Sequence, residues 1–228
     1  MVALVACVQE VCPLAKVQCA YCGQPATGKE RDHVVPKCLY SSCQRQRGAL
    51  LTVPVCRSCN VGFSNDETHF RGVMLLAGEP NEAVHEVWQT KMLRSLARPD
   101  GRKRAADLAA QMVPRQGAAG QEHLIYPDRD ERVVRVLRKI VRGMSFHHFG
   151  TIALPEALVR VETLRYAIPN GFLDALSRGD VVPEVFEYWY LDMRGDPDRS
   201  FDVTWMLRIF ERRWFIAWVG LAPGAAEP

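Results

Sequence analysis

Two Cys-x2-Cys pairs, "CAYC" at residues 19–22 and "CRSC" at residues 56–59, constrain this chain more than any other feature of it. Each pair presents two thiolates from one tight turn, at a bite suited to tetrahedral zinc. Gly23, after the first pair, helps the chain turn there. Four thiolates fill the coordination shell, so Cys19, Cys22, Cys56 and Cys59 predict a structural Zn²⁺ with no open position for a substrate. Such an ion contributes folding free energy directly, about 10–16 kcal/mol apparent by analogy with zinc fingers. The competing reading is a set of buried free thiols. All eight cysteines precede residue 60, which argues for a local metal site and against a disulfide framework spread over the fold. Cys7-x4-Cys12 and Cys38-x4-Cys43 share a looser spacing; a second four-thiolate site competes there with ordinary packed cysteines.

The rest of the composition is ordinary for a globular chain. Of 228 residues, 48% are hydrophobic and 24% charged, enough to bury a core without staples. The net charge is only +3, so a nucleic-acid surface has to be a local patch. "MVALVACVQEVCPLA" lacks an early Lys or Arg, and Gln9 and Glu10 interrupt it; it reads as an extension and not a signal peptide. No stretch approaches the length of a membrane span. A reducing cytoplasm, where thiolates stay available to zinc, is the expected location.

Along the chain, short strands and loops are expected over residues 17–62, one of them around Leu51–Val55. "SNDE" at 64–67 reads as a capping box opening a helix that carries Phe70, Val73, Met74 and Ala77 and stops at Gly78. Pro80 and Asn81 open a second helix with the stripe Val84, Trp88, Met92 and Leu96. A third runs over Arg102–Met112, followed by a linker at 115–122, and "HLIYP" reads as a strand. Residues 130–144 form an amphipathic helix with Arg132, Arg135, Lys139 and Arg142 on one side. "ALVRVETLRYAIP" reads as a strand and "NGFLDALSRG" as a short helix. "VFEYWYLDM", "VTWMLRIF" and "WFIAWVG" are β-branched and aromatic, and the last two read as a hairpin.

Between the cysteine pairs lies "RDHVVPK", and Asn60 directly follows the fourth cysteine. Joining the pairs through one ion pulls Asn60 toward the segment carrying Asp32 and His33. Neighbouring side chains on an extended segment point to opposite faces, so Asp32 can face a metal while His33 faces a phosphate. Imidazole titrates near neutrality and can take a proton from water at physiological pH. "CAYC", "RDHVVPK" and "VPVCRSCN", in that order, resemble the HNH endonucleases with a zinc-stabilised ββα-metal core, and the run through "LLTVPVCRSCNVGFSNDETHF" looks like a bacterial subgroup of them. The resemblance covers roughly residues 19–70.

That resemblance implies a metal-dependent DNA endonuclease, a phosphodiester hydrolase. His33 would be the general base, and Asp32 and Asn60 would hold one catalytic Mg²⁺ or Mn²⁺, hard ions that suit oxygen ligands. The implied products carry a 5′-phosphate and a 3′-hydroxyl. With the helices and strands read above, the expected fold is α+β. A ββα-metal core over 17–78 follows an N-terminal extension (1–16) and precedes a helical segment (79–114). A C-terminal α+β unit (115–228) then carries an antiparallel sheet with a packed helix. One departure stands out: the family's usual Asn before "TVP", which orients the catalytic imidazole, is replaced by Ala49 or Leu51, depending on alignment. Loss of such a supporting group typically costs about 10–100-fold.

Arg31, Lys37 and Arg57 flank the Asp-His and Cys-Asn segments and are candidate phosphate contacts, as are Arg132, Arg135, Lys139 and Arg142; a merely solvated basic face is the alternative. His147–His148 reads as core packing or a local hydrogen bond, and His69, His85 and His123 have no constellation around them. The aromatic C-terminal strands read as core and not as a base-stacking platform. Two further functions compete with the nuclease: a zinc module that binds nucleic acid without cutting it, and a zinc-stabilised protein-interaction domain. DNA is the expected partner, and a homodimer or protein partner through the C-terminal part is open.

Overall fold

The computed structural model describes residues 17–46, 50–76, 80–116, 120, 122–127, 129–180 and 182–220. Two short antiparallel strands, β1 (Arg31–His33) and β2 (Thr52–Pro54), pair with Arg31 opposite Pro54 and His33 opposite Thr52. The chain leaves β2 into α1 (Arg57–Gly62) and, after Phe63, into α2 (Ser64–Leu76). Here the structure departs from the capping-box expectation. Phe63 is already helical, and its carbonyl accepts from the Glu67 amide, so Ser64 sits inside the helix and the Glu67 carboxylate is used elsewhere.

Helix α3 (Glu82–Val87) opens at Asn81, whose side chain accepts from the Val84 amide at 3.0 Å. The same Asn81 donates to the Glu184 carbonyl, tying this helix to the distant sheet. A π-turn at Trp88–Met92 inserts before α4 (Leu93–Leu96) and rotates the expected apolar stripe, so Val87 is buried beside Val84 and Met92. Helix α5 spans Pro99–Gln111, three residues earlier than expected because Pro99 is pre-organised for a first helical position. The expected linker is partly a hairpin of β3 (Val113–Gln116) and β4 (Glu122–Ile125).

Helix α6 (Glu131–Phe149) is the axis of the molecule. Asp130 caps its start by accepting from the Arg132 amide at 2.8 Å, and Gly150, at φ 67°, ends it. Along it, Val133, Val136, Leu137, Ile140, Val141 and Met144 are buried. The helix lies against α2 and reaches β2 and β5 (Val159–Thr163). Gly143 marks its closest approach: a Cβ there would lie 2.8 Å from a Val34 methyl, just past β1.

The C-terminal part is a five-stranded antiparallel sheet in the order β5-β9-β8-β7-β6, with β6 (Ser177–Arg178), β7 (Phe186–Asp192), β8 (Val203–Ile209) and β9 (Arg213–Val219). The expected β8–β9 hairpin is present. "NGFLDALSRG" forms only a 3₁₀ turn at Leu173–Ala175 and then β6. Trp205, Leu207, Phe215 and Ala217 are almost wholly buried, and with the α6 stripe and the Cys19–Tyr21 turn they make one continuous core. The fold is thus mixed α+β, with helices, a five-stranded antiparallel sheet and a cysteine cluster near its start. No helix among the described residues is long and apolar enough to cross a membrane.

Candidate metal centre and the Asp-His strand

The first cysteine turn closes through Gly23 N–H to Cys19 O and Cys19 N–H to Gln24 O, both 2.9 Å, with Gly23 at φ 72°. A side chain at Gly23 would also crowd the Ala153 Cβ at 3.3 Å. Ala20 N–H donates to Pro54 O at 3.0 Å, which locks this turn to the strand entering the second pair. There Cys56 caps α1, and Cys59 stands one turn into it. The four sulfurs lie within 4.8 Å of one another, and Cys22 and Cys56 are 3.6 Å apart. A tetrahedron with Zn–S bonds of about 2.3 Å has edges of about 3.8 Å, so the quartet fits a metal such as zinc.

The thiols differ in how readily they ionise. A contact with the Ser58 hydroxyl at 3.1 Å, the Cys59 amide and neighbouring thiols bring Cys56 down to about 6. Burial, then crowding by the same sulfurs, pushes Cys59 well up, and burial raises Cys22. Four negative sulfurs at this separation repel, and a cation among them lets all four ionise. Among the described residues no other group of three or more His, Cys, Asp or Glu side chains converges this way. Cys7 and Cys12 lie outside the described residues. Cys38 packs under α2, donating to the Glu67 carbonyl, and burial pushes its thiol up to about 11; Cys43 is exposed.

Asp32 and His33 sit in β1 and turn opposite ways. Asp32 faces α6: its Oδ2 accepts from the Tyr21 hydroxyl at 2.9 Å and pairs with Lys139 Nζ at 2.7 Å. That ammonium is wholly buried, and it also donates to the Glu67 carboxylate and to the His33 carbonyl at 2.8 Å. Asp32 Oδ1 takes no hydrogen bond from the described residues. His33 shares the other strand face with Arg31, whose guanidinium is spent on Thr52 Oγ1 and the Thr52 carbonyl. Burial, followed by the charge of Lys37, holds the His33 imidazole below its ordinary value, against the opposing pull of Asp32. That shift favours the neutral ring. It accepts and donates no hydrogen bond among the described residues, in keeping with the missing orienting amide; Ala49 is outside those residues, and Leu51 offers only its backbone carbonyl, to Val34.

Asn60 is exposed on α1, and its side-chain amide has no hydrogen bond among the described residues. Lys37 and Arg57 are exposed. Two of the expected phosphate contacts are not at the surface. Lys139 is 1% exposed, and Arg142 is 7% exposed. Arg142 bonds the Tyr21 carbonyl, the Leu154 carbonyl and Glu156, so it clamps the first cysteine turn to α6. Arg135 pairs with Asp66 and lies over Phe63, and Arg132 pairs weakly with Asp130. Lys139 and Arg142 thus bind the chain's own β1 and first cysteine turn, while Arg132 and Arg135 stay about half exposed on the same helix.

A buried cluster escaped sequence reading. His69 Nε2 lies 2.6 Å from Asp130 Oδ2 and 3.0 Å from the Tyr126 hydroxyl, which donates to Asp130 as well. These partners are 57 and 61 residues from His69, and no local spacing marks them. His148 fulfils the packing reading, contacting the Tyr188 hydroxyl at 2.9 Å among Tyr190 and Trp205. No protein-family profile, curated protein or solved structure matches this chain.

Proposed function

We propose that this chain is a metal-dependent DNA endonuclease of the kind the Asp-His strand and cysteine pairs resemble. His33 is the general base, and Asp32 and Asn60 hold one divalent cation on a zinc-stabilised ββα frame. The observation that carries the reading is the β1–β2 pairing run directly into α1. It joins the strand with Asp32 and His33 and the helix with Asn60 to one four-sulfur cluster.

An imidazole biased to its neutral form, with no hydrogen-bond partner among the described residues, suits a base that must take a proton from water. Asp32 keeps one carboxylate oxygen for a cation while the other is held by Tyr21 and Lys139. Asn60 adds an exposed amide oxygen, and water and phosphate oxygens would complete the shell of Mg²⁺ or Mn²⁺. When bound, that ion supplies the electrostatic stabilisation of the phosphorane and leaving oxygen that an imidazole alone cannot. Lys139 fixes the β1 backbone through the His33 carbonyl, so the base and the carboxylate move as one unit.

A second reading, a zinc module that binds nucleic acid without cutting it, rests on one specific observation: the Lys139 ammonium already neutralises Asp32. Incubating plasmid and single-stranded DNA with zinc-loaded protein, with and without added Mg²⁺ or Mn²⁺, separates the two. Cleavage that needs the added ion is expected. Intact DNA with either ion, from protein of verified zinc content, rejects the nuclease reading.

A further inference from the structure

Away from β1, the structure assigns a binding site for the phosphodiester backbone of nucleic acid: a groove of about 360 Å³ between α2, the π-turn region and α5. Five cations line it, Arg71, Lys91, Arg94, Arg98 and Arg104. The other lining side chains are the hydroxyls of Thr68, Thr90 and Ser95, and no carboxylate borders it. For a chain with a net charge of +3, five cations without one acid is strong local segregation.

Three features point to a ligand and not to a solvated face. Arg71 lines the groove, and its side chain has no hydrogen bond or ion pair among the described residues. Arg98 and Arg104 are exposed and have no ion pair among the described residues. Lys91 is half-buried and anchored on the carbonyls of Lys37, Cys38 and Tyr40, so its charge is fixed at the groove wall. Elsewhere on the fold Arg135, Arg160, Arg178 and Arg194 each pair with an acid.

The lining also says which part of a ligand is read. No aromatic or aliphatic side chain faces the groove, so it offers nothing for a base or a ring to stack on. Arginine forks and hydroxyls match phosphate oxygens, and contacts of this kind position a duplex without reading its sequence. The groove reaches the segment that follows the Asp-His strand, because Lys91 at its wall donates to the Lys37 carbonyl at 3.1 Å. A strand with one phosphate near His33 therefore has a neighbouring stretch of backbone available to the groove. The inference deepens the nuclease reading and rests on it only for the role of His33.

The test is duplex binding by the zinc-loaded full chain, with no added divalent ion, across a salt series. Arg94→Gln/Arg98→Gln/Arg104→Gln should lower the slope of log affinity against log salt by roughly 2–3 and weaken binding roughly tenfold or more. Lysine at the same three positions should restore most of the slope. The control Arg160→Gln/Arg178→Gln/Arg194→Gln, with the same change in charge, should leave it unaltered. Inorganic phosphate should compete no better than its ionic strength explains. An unchanged slope in the groove variant at parental zinc content and melting temperature overturns the assignment. So does a parental protein that does not bind duplex, or displacement by phosphate beyond the ionic-strength effect, which would identify a small-anion site. Groove-dependent binding by a protein that fails to cut with Mg²⁺ or Mn²⁺ removes only the nuclease reading; cutting with an unchanged slope removes only the groove.

Discussion

Replacing Lys139 with methionine removes one buried ammonium and strands three acceptors. Asp32 and Glu67, 12% and 20% exposed at their side chains, lose the cation between them, and the His33 carbonyl loses its donor. Breaking a buried ion pair by deleting one partner costs about 3–5 kcal/mol, because the leftover charge stays desolvated. In a chain of this size each kcal/mol moves the melting temperature by roughly 2–4 °C, so a fall of about 6–20 °C is expected at pH 8. The deficit should depend on pH. The Glu67 carboxyl already lies above the ordinary range through burial and its acidic neighbours, against the pull of Lys139, and losing the ammonium raises it further. An acid whose folded pKa is raised adds stability below its unfolded value and loses that stability as pH rises through the folded one. Lys139→Met should therefore recover part of its loss between pH 8 and about pH 5, and adding Glu67→Gln should recover part of it at pH 8. Urea melts at both pH values measure this. A variant within about 1 kcal/mol of the parent at pH 8, or a deficit that does not change with pH, would refute the argument that Lys139 is the neutralising centre of this region.

Other outcomes follow from the same geometry. Burial alone would raise Asp130, but hydrogen bonds from Tyr126, His69 and the Arg132 amide bring it down to about 2. Its contribution is thus present above the unfolded value of about 3.9 and lost as pH falls toward about 2. Asp130→Ala should cost about 0.5–2 kcal/mol at pH 7 through the lost helix cap and flatten the acid limb of the stability curve, read by circular dichroism. Cys22→Ser should lower bound zinc, measured by mass spectrometry of metal content, and unfold the region around β1, read by hydrogen exchange of the Val34 and Val55 amides. If DNA is cut, Lys37→Gln should move the acidic limb of kcat/KM to higher pH, because a charge that holds His33 down has gone.

The readable and unreadable parts of this molecule divide by the range of the interactions that set them. The cysteine turns, the Asn81 cap, α6 and the β8–β9 hairpin are all set by residues a few positions apart, and their pattern is visible along the chain. Lys139 and Arg142 look like surface cations because they share a helix face with Arg132 and Arg135. Their acceptors, the His33 and Tyr21 carbonyls, lie 106 and 121 residues away, and no spacing rule reaches that far. The same range explains Glu67, whose capping-box position is overridden by the Lys139 ammonium. It also explains the His69–Asp130–Tyr126 cluster. The candidate site was legible as residue types: the sulfur quartet converges. The orientation of Asp32 toward a buried lysine depended on which helix packs behind β1.

The proposed role of His33 is that of the base in a metal-dependent cut on a sulfur-stapled frame. Its most direct measurement compares plasmid cleavage by the parent and by His33→Ala with Mg²⁺ and with Mn²⁺, after both proteins are shown to bind equal zinc and to melt together. Nicked or linear product bearing 5′-phosphate ends is expected from the parent, with a rate at least about 10²-fold lower from the variant. Equal rates from the two proteins would contradict it.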